Sequence, residues 1–138
     1  MTNPVALVVE DDEILADLLG ILVGIAGYQA ETILDGLKAS ARLKRQDLPS
    51  PQLAVLDLHL PGMGGGELLQ QVRDDPQLAG TAVVILTADI QAEMSFHPGA
   101  AGIQPDDLLI KPVDNDVLQA VFGKYKEGRS KTKDKDAF

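Results

Sequence analysis

Four short runs of apolar residues rich in branched side chains recur along the chain, at positions 5–9, 53–56, 83–86 and 108–110. Each run is unbroken rather than alternating, which is the pattern of strands covered on both faces, as in a parallel sheet. A weaker run at 29–34 reads as an edge strand. Between the runs the periodicity becomes helical. After Asp12, the apolar residues Leu15, Leu18, Leu19, Leu22 and Ile25 recur at helical spacing, with Gly27 as the stop. Further helices are predicted over 37–45, ahead of a loop with two prolines, and over 67–73, ahead of Asp75-Pro76. The last is predicted from about Asp114, with Val117, Leu118, Val121, Phe122 and Tyr125 on one stripe. Strand and helix alternating five times implies a parallel sheet flanked by helices, with right-handed crossovers. One segment resists the scheme. Residues 89–105 contain Pro98, Gly99, Gly102 and Pro105, so the fourth helix is predicted as two turns near 90–96 followed by irregular chain.

The polar residues at the strand ends carry the chemistry. Glu10 and Asp11 follow the first run, Asp57 the third, Thr87 the fourth and Lys111 the fifth. Open parallel sheets bind ligands outside the carboxyl ends of their strands, where strand order reverses, so these residues are expected to converge. Taken singly, Asp57 reads as an ordinary turn or cap aspartate. The acidic cluster at 10–12 reads equally as a helix N-terminus decorated with acids, Thr87 as a cap and Lys111 as a surface charge. Their coincidence, each at the end of its own strand, shifts the reading toward a site. Three converging carboxylates repel one another unless a cation sits among them. A donor set of oxygens without thiols suits a hard ion, and magnesium fits best because it takes one or two carboxylates, keeps several waters and pairs with phosphoryl oxygen. Lys111 offers a compact positive charge and Thr87 a hydroxyl for the remaining phosphoryl oxygens. A carboxylate is itself able to act as a nucleophile, forming an aspartyl-phosphate.

Composition bounds this reading without deciding it. A chain of 138 residues is long enough for one compact domain, and with 45% hydrophobic but only 4% aromatic residues its core must be aliphatic. The absence of cysteine excludes disulfides, thiolate metal sites and cysteine nucleophiles. No apolar run is long enough to span a bilayer, and residues 1–4 lead straight into a strand rather than a basic, apolar leader, so no membrane association and a cytoplasmic location are expected. The net charge is −9, and residues 126–138 carry a balance of +2 that leaves −11 on residues 1–125. An acidic body argues against direct binding of nucleic acid. The segment 126–138 lacks apolar periodicity and is expected to be a mobile tail beyond a domain of residues 1–125.

The segments LVVEDDE at 7–13, LDLHLPGMGG at 56–65, VVILTAD at 83–89 and LIKPVD at 109–114 together resemble the receiver domains of two-component response regulators, over about residues 4–125. The resemblance implies the flavodoxin-like (CheY-like) doubly wound α/β fold, a five-stranded parallel sheet of order 2-1-3-4-5, here with an irregular fourth helix. It also implies roles. Asp57 would accept a phosphoryl group from a phosphohistidine of a histidine kinase or phosphotransfer partner. Asp11 and Asp57 would ligate magnesium directly, Glu10 through a water, and His59 through its backbone carbonyl. Thr87 and Lys111 would bind phosphoryl oxygens, Ala88 would leave room for them, and the Lys111-Pro112 peptide would be cis. Side chains such as those of His59 and Asp89 would tune the lifetime of the phosphorylated state. Such a domain is a signalling phosphoacceptor that promotes its own phosphorylation and dephosphorylation rather than an enzyme acting on other molecules. Its partners would be the kinase, an output domain or protein target, and in some assemblies a second copy.

The chain departs from the family at the readout. Receivers carry Tyr or Phe three residues before the lysine, a ring that swings inward as the threonine moves; here Leu108 occupies that switch position beside Thr87. The interrupted 89–105 segment falls on the same output face, so unusual dimerisation or partner choice through that face is expected, with drift in a surface loop as the alternative. Two other functions compete with the switch. A docking module without phosphoryl chemistry would be expected to lose one of the five residues. A flavin-type cofactor binder would need a hydroxyl- or glycine-rich loop after the first strand, where this chain has acids. The glycines at 62–66 lack the Lys-Ser/Thr of a phosphate loop and are read as a tight turn. His59 and His97 are too isolated for zinc, and Asp106-Asp107 reads as a turn.

Overall fold

The computed structural model describes residues 3–96 and 102–129. Five strands, β1 (Val5–Val9), β2 (Gln29–Ile33), β3 (Leu53–Leu56), β4 (Ala82–Thr87) and β5 (Asp107–Ile110), form one parallel sheet of order β2-β1-β3-β4-β5. The helices are α1 (Glu13–Ile25), α2 (Gly36–Leu43), α3 (Gly65–Asp74), α4 (Ala92–Ser95) and α5 (Asn115–Lys124), with a 3-10 turn at Pro76–Leu78. Asp12 caps α1 by accepting from the backbone N–H groups of Ile14 and Leu15, and Asp35 caps α2 by accepting from that of Lys38.

Both faces of the sheet are covered, which is why its inner strands read as unbroken apolar runs. Alternate residues point to opposite layers. Ala6, Val8, Leu53 and Val55 pack against Leu19, Val23, Leu118 and Phe122 of α1 and α5, while Leu7, Val9, Ala54 and Leu56 pack against Ala39, Leu43, Leu68 and Val72 of α2 and α3. The edge strand β2 pairs only with β1 and is largely exposed, and Arg42 reaches from α2 to hold Glu31 on it in a two-pronged ion pair with a 2.6 Å leg.

Several expected details shift. The buried face of α1 is Ala16, Leu19, Leu22 and Val23, whereas Leu18 and Ile25, predicted on the core stripe, face solvent. Val117 on α5 is likewise exposed. Apolar residues cover most of the circumference of α1, so periodicity alone does not select which part of that arc meets the sheet. The fourth helix is a single turn of four residues rather than two turns; the remainder of its segment, including His97, Pro98 and Gly99, lies partly outside the described residues. Asp106 is not a mere turn residue. Its buried carboxylate accepts from Arg73 Nη2 at 2.9 Å, the Val83 backbone N–H at 2.8 Å and Arg129 Nε at 2.8 Å. Of the segment expected to be a mobile tail, residues 126–129 are described, and Arg129 is fixed by this pair and by its backbone bond to the Gly80 carbonyl; residues 130–138 lie outside the described residues.

Candidate functional site

The chain order reverses between β1 and β3, and the carboxyl ends of β1, β3, β4 and β5 open on one side of the sheet. Register brings the strand-end residues together. Glu10 donates its backbone N–H to Ile33, Asp57 to Val9 and Lys111 to Thr87, so each is tied to the end of a neighbouring strand. One ligand atom from each of Glu10, Asp11 and Asp57 lies within 4.8 Å of the others. Lys111 Nζ stands between two of these carboxylates, 2.6 Å from Glu10 Oε1 and 2.9 Å from Asp57 Oδ2. Glu10 and Asp57 are buried and Asp11 faces solvent.

These environments set the charges. Burial raises the Glu10 carboxyl above its usual range, and the hydrogen bond from Lys111 only partly reverses this. Burial works against the charge on Lys111, but its hydrogen bonds to the carboxylates of Glu10 and Asp57 outweigh it and hold the ammonium above its ordinary value. One lysine facing three acids leaves the cluster short of positive charge. Oxygen donors from two buried carboxylates, with the exposed Asp11 leaving room for retained waters, match what a magnesium ion requires.

The other expected residues frame this centre. Thr87 is fully buried at the end of β4, and its hydroxyl accepts the Asp89 backbone N–H at 3.2 Å. The His59 backbone N–H donates to Asp57 Oδ1 at 3.2 Å, while its exposed ring spans to Asp89 Oδ2 at 2.9 Å. That contact holds the Asp89 carboxyl below its usual range. Ala88 is exposed beside Thr87, and the Lys111-Pro112 peptide is cis. Leu108 is half-buried and, like Phe96 and Ile103, packs against the apolar layer shared with α2 and α3.

Two glycines prove more important than the sequence reading allowed. A Cβ on Gly65 would lie 2.2 Å from the Asp57 carbonyl oxygen, and one on Gly36 would lie 1.6 Å from that of Met63. The Gly36 N–H also donates to Pro61 at 2.9 Å, and Gly62, with φ of 82°, lies under Leu37. The loop after Asp57 is therefore clamped by the start of α2. The glycine cluster at 62–66 signalled a tight turn, but nothing near Gly36 signalled a partner as far along the chain as Met63.

Comparison with known proteins agrees with this geometry. A family model described as the response regulator receiver domain matches residues 6–122. The phosphate regulon transcriptional regulatory protein PhoB of Rhizobium meliloti is 34% identical over 117 residues, which cover 85% of this chain and 49% of that protein. The chain thus spans about half the length of this curated relative. Among solved structures, the receiver domain of the Francisella response regulator 1452 is 26% identical with a TM-score of 0.74, covering 91% of this chain and 98% of that one. The Mn(2+)-bound form of response regulator Rcp1 is 26% identical with a TM-score of 0.71, covering 88% and 90%. No helix among the described residues is long and apolar enough to cross a membrane. By sequence, sheet order and strand-end geometry alike, the chain belongs to the response regulator receiver domain family.

Proposed function

We propose that this receiver domain is a phosphorylation-controlled switch whose acceptor is Asp57, charged by a phosphohistidine of a histidine kinase or phosphotransfer partner. The observation that carries the reading is the placement of Lys111 Nζ between Glu10 and Asp57 with Asp11 alongside, which joins a nucleophilic carboxylate, a fixed cation and a cation-binding pair of acids in one pocket. In the transfer, an Asp57 oxygen attacks phosphorus, the P–N bond to the donor imidazole breaks and an acyl-phosphate P–O bond forms. A magnesium ion held by Asp11 and Asp57, with Glu10 acting through a water and the His59 carbonyl completing the protein ligands, would neutralise charge on the phosphoryl oxygens; the manganese-bound Rcp1 structure shows a relative holding a divalent cation. Lys111 exchanges its carboxylate contacts for a phosphoryl oxygen, and the Thr87 hydroxyl donates to another. The small Ala88 leaves that side open. Rate enhancement arises from positioning and charge stabilisation of an in-line transfer. Water attacking the same phosphorus breaks its bond to the Asp57 oxygen, returning the carboxylate and releasing inorganic phosphate, and the His59–Asp89 pair would tune the access of that water.

The wider assignments, a cytoplasmic location, a domain of residues 1–125 followed by a charged tail, and an output domain or protein target, rest on the family. The test of the switch is incubation with magnesium and acetyl phosphate followed by intact mass. One phosphoryl adduct, lost in Asp57→Asn, is expected; no adduct with any small phosphodonor would leave a docking module without phosphoryl chemistry.

A further inference from the structure

The pole of the sheet opposite Asp57 holds an unanswered acceptor. Buried polar side-chain atoms are nearly always hydrogen-bonded, yet Gln52 Oε1 is buried with no partner among the described residues. Gln52 stands at the entry of β3, about 16 Å along the strand from Asp57 at its exit. It lines a cavity of about 210 Å³ together with Ser50, Gln77, Thr81, Glu127 and Gly128. The walls of this cavity are held by bonds already made. The Thr81 hydroxyl donates to the Pro51 carbonyl at 2.6 Å. The Gly80 carbonyl accepts the Arg129 N–H at 3.0 Å, and the Gly128 N–H donates to the Tyr125 carbonyl at 2.9 Å. Gly128, with φ of 87°, comes so near that a Cβ on it would lie 3.1 Å from the Gly80 oxygen. The guanidinium groups of Arg73 and Arg129 reach this pole, but Asp106 takes them at 2.9 and 2.8 Å, so neither answers Gln52.

Size and chemistry narrow the ligand. The cavity is smaller than the roughly 300–1,000 Å³ of pockets for drug-sized molecules and has room for about seven water-sized groups, so it takes a head group. Gln52 Oε1 requires a donor, and the exposed Glu127 adds a carboxylate to the same lining. A planar guanidinium carries a permanent positive charge, pairs two-pronged with a carboxylate and keeps further N–H groups for a carboxamide oxygen. Turning the Gln52 carboxamide to meet it breaks no bond at Oε1, and the terminal torsion of glutamine is broad.

We propose that this pole binds a small guanidinium compound, held between Gln52 Oε1 and Glu127, which fastens the turn after α5 to the entry of β3. The site is separate from the chemistry at Asp57 and does not depend on it. The test is titration of the full chain with ethylguanidinium, read by backbone and side-chain amide resonances, beside sodium chloride and ethylammonium at equal ionic strength. Saturable shifts at 50–52, 77–81 and 127–128, including the Gln52 side-chain amide, are expected with a Kd on the order of 1 mM, suited to so small a head group. Amide exchange at 127–129 should slow on saturation. Ethylammonium, which lacks the planar fork, should bind about fivefold more weakly. Gln52→Leu removes the acceptor at similar volume and should raise the Kd about tenfold or more. Glu127→Gln, at an exposed position, should raise it about threefold. Shifts that do not saturate or that spread over the acidic surface, equal binding of ethylammonium, or unchanged affinity in Gln52→Leu would each mark an adventitious cation only and overturn the proposal. Should Gln52→Leu lose its native spectrum, Glu127→Gln decides, and unchanged affinity there overturns it.

Discussion

Lys111→Met is the sharpest test of how the pocket is held together. The lysine side chain is 21% exposed, whereas those of Glu10 and Asp57 are 3% and 11% exposed. Removing one partner of a buried ion pair costs about 3–5 kcal/mol, because the other partner remains desolvated and unpaired. Here two carboxylates lose their common cation, but water is able to enter through the opening the lysine occupied, so the expected loss is about 2–4 kcal/mol. The measurement is urea unfolding in EDTA and again with magnesium. For a site that binds only the folded chain, magnesium at a hundred times its Kd adds about 2.7 kcal/mol to wild type. In Lys111→Met the gain should be larger, since the ion takes over charge that the lysine no longer neutralises. The deficit should also narrow in acid. Burial already lifts the folded Glu10 above its ordinary value of 4.5, so the folded state binds this proton more tightly than the unfolded state. Stability from this group therefore falls as pH rises through the interval above 4.5, and without Lys111 the fall is steeper. A loss below about 1 kcal/mol in EDTA, outside the range expected for a broken buried pair, would refute the picture of a lysine-bridged acid cluster.

Other positions give independent checks. Gly36→Ala forces a methyl onto the Met63 carbonyl, and overpacking of this kind costs about 1–3 kcal/mol; magnesium affinity should fall with it, because the displaced loop carries His59, and calorimetry would read both. Asp106→Ala removes the carboxylate partner of Arg73 and Arg129 and of the Val83 N–H, with an expected loss of about 3 kcal/mol by denaturant unfolding. Tyr28 and Tyr125 are both raised, chiefly by burial, above their ordinary value of 10.0. The unfolded chain therefore ionises first, and stability should drop above pH 10 by up to about 1.4 kcal/mol per pH unit for each ring, measured by alkaline unfolding of wild type against Tyr28→Phe. Beryllofluoride, a phosphoryl mimic, should move amide resonances within 89–96 and 102–108 more than those within 34–37; unmoved resonances in the first two ranges would sink a readout through α4 and β5.

What the sequence made legible follows from how local each feature is. Inner strands covered on both faces announce themselves as unbroken apolar runs, and a parallel sheet then delivers its strand-end residues to one side without further information. Glu10, Asp57, Thr87 and Lys111 were therefore readable from position. The exposed line on α1 was misread because Leu18 and Ile25 have the spacing of a core stripe, and only the packed sheet shows which arc of the helix is covered. The ion pairing of Asp106 was not legible because its partners Arg73, Val83 and Arg129 are distant in sequence. Gly36 illustrates the same limit, since its need for a bare Cα arises from a carbonyl in another loop.

The two walls of the pocket differ in how firmly they are held, and this bears on the absent aromatic ring at Leu108. On the α2 side, the loop after Asp57 is fixed by the Gly36–Pro61 backbone bond and by close approaches at Gly62 and Gly65. Moving it means displacing backbone against backbone. On the other side, the loop after β4 depends on the Asp89 N–H to the Thr87 hydroxyl and on an exposed pair with His59, and it leads into a helix of one turn with Ile90 and Met94 in solvent. Exposed pairs of that kind contribute little. Under the proposed switch, a phosphoryl group at Asp57 that drew the Thr87 hydroxyl inward would remove the acceptor of the Asp89 N–H and direct the response into the weaker wall. Leucine at 108, which like Phe96 and Ile103 packs against the layer of α2 and α3, has no ring to swing, and under the proposed switch the displacement would be carried by the backbone of the β4–α4 segment itself.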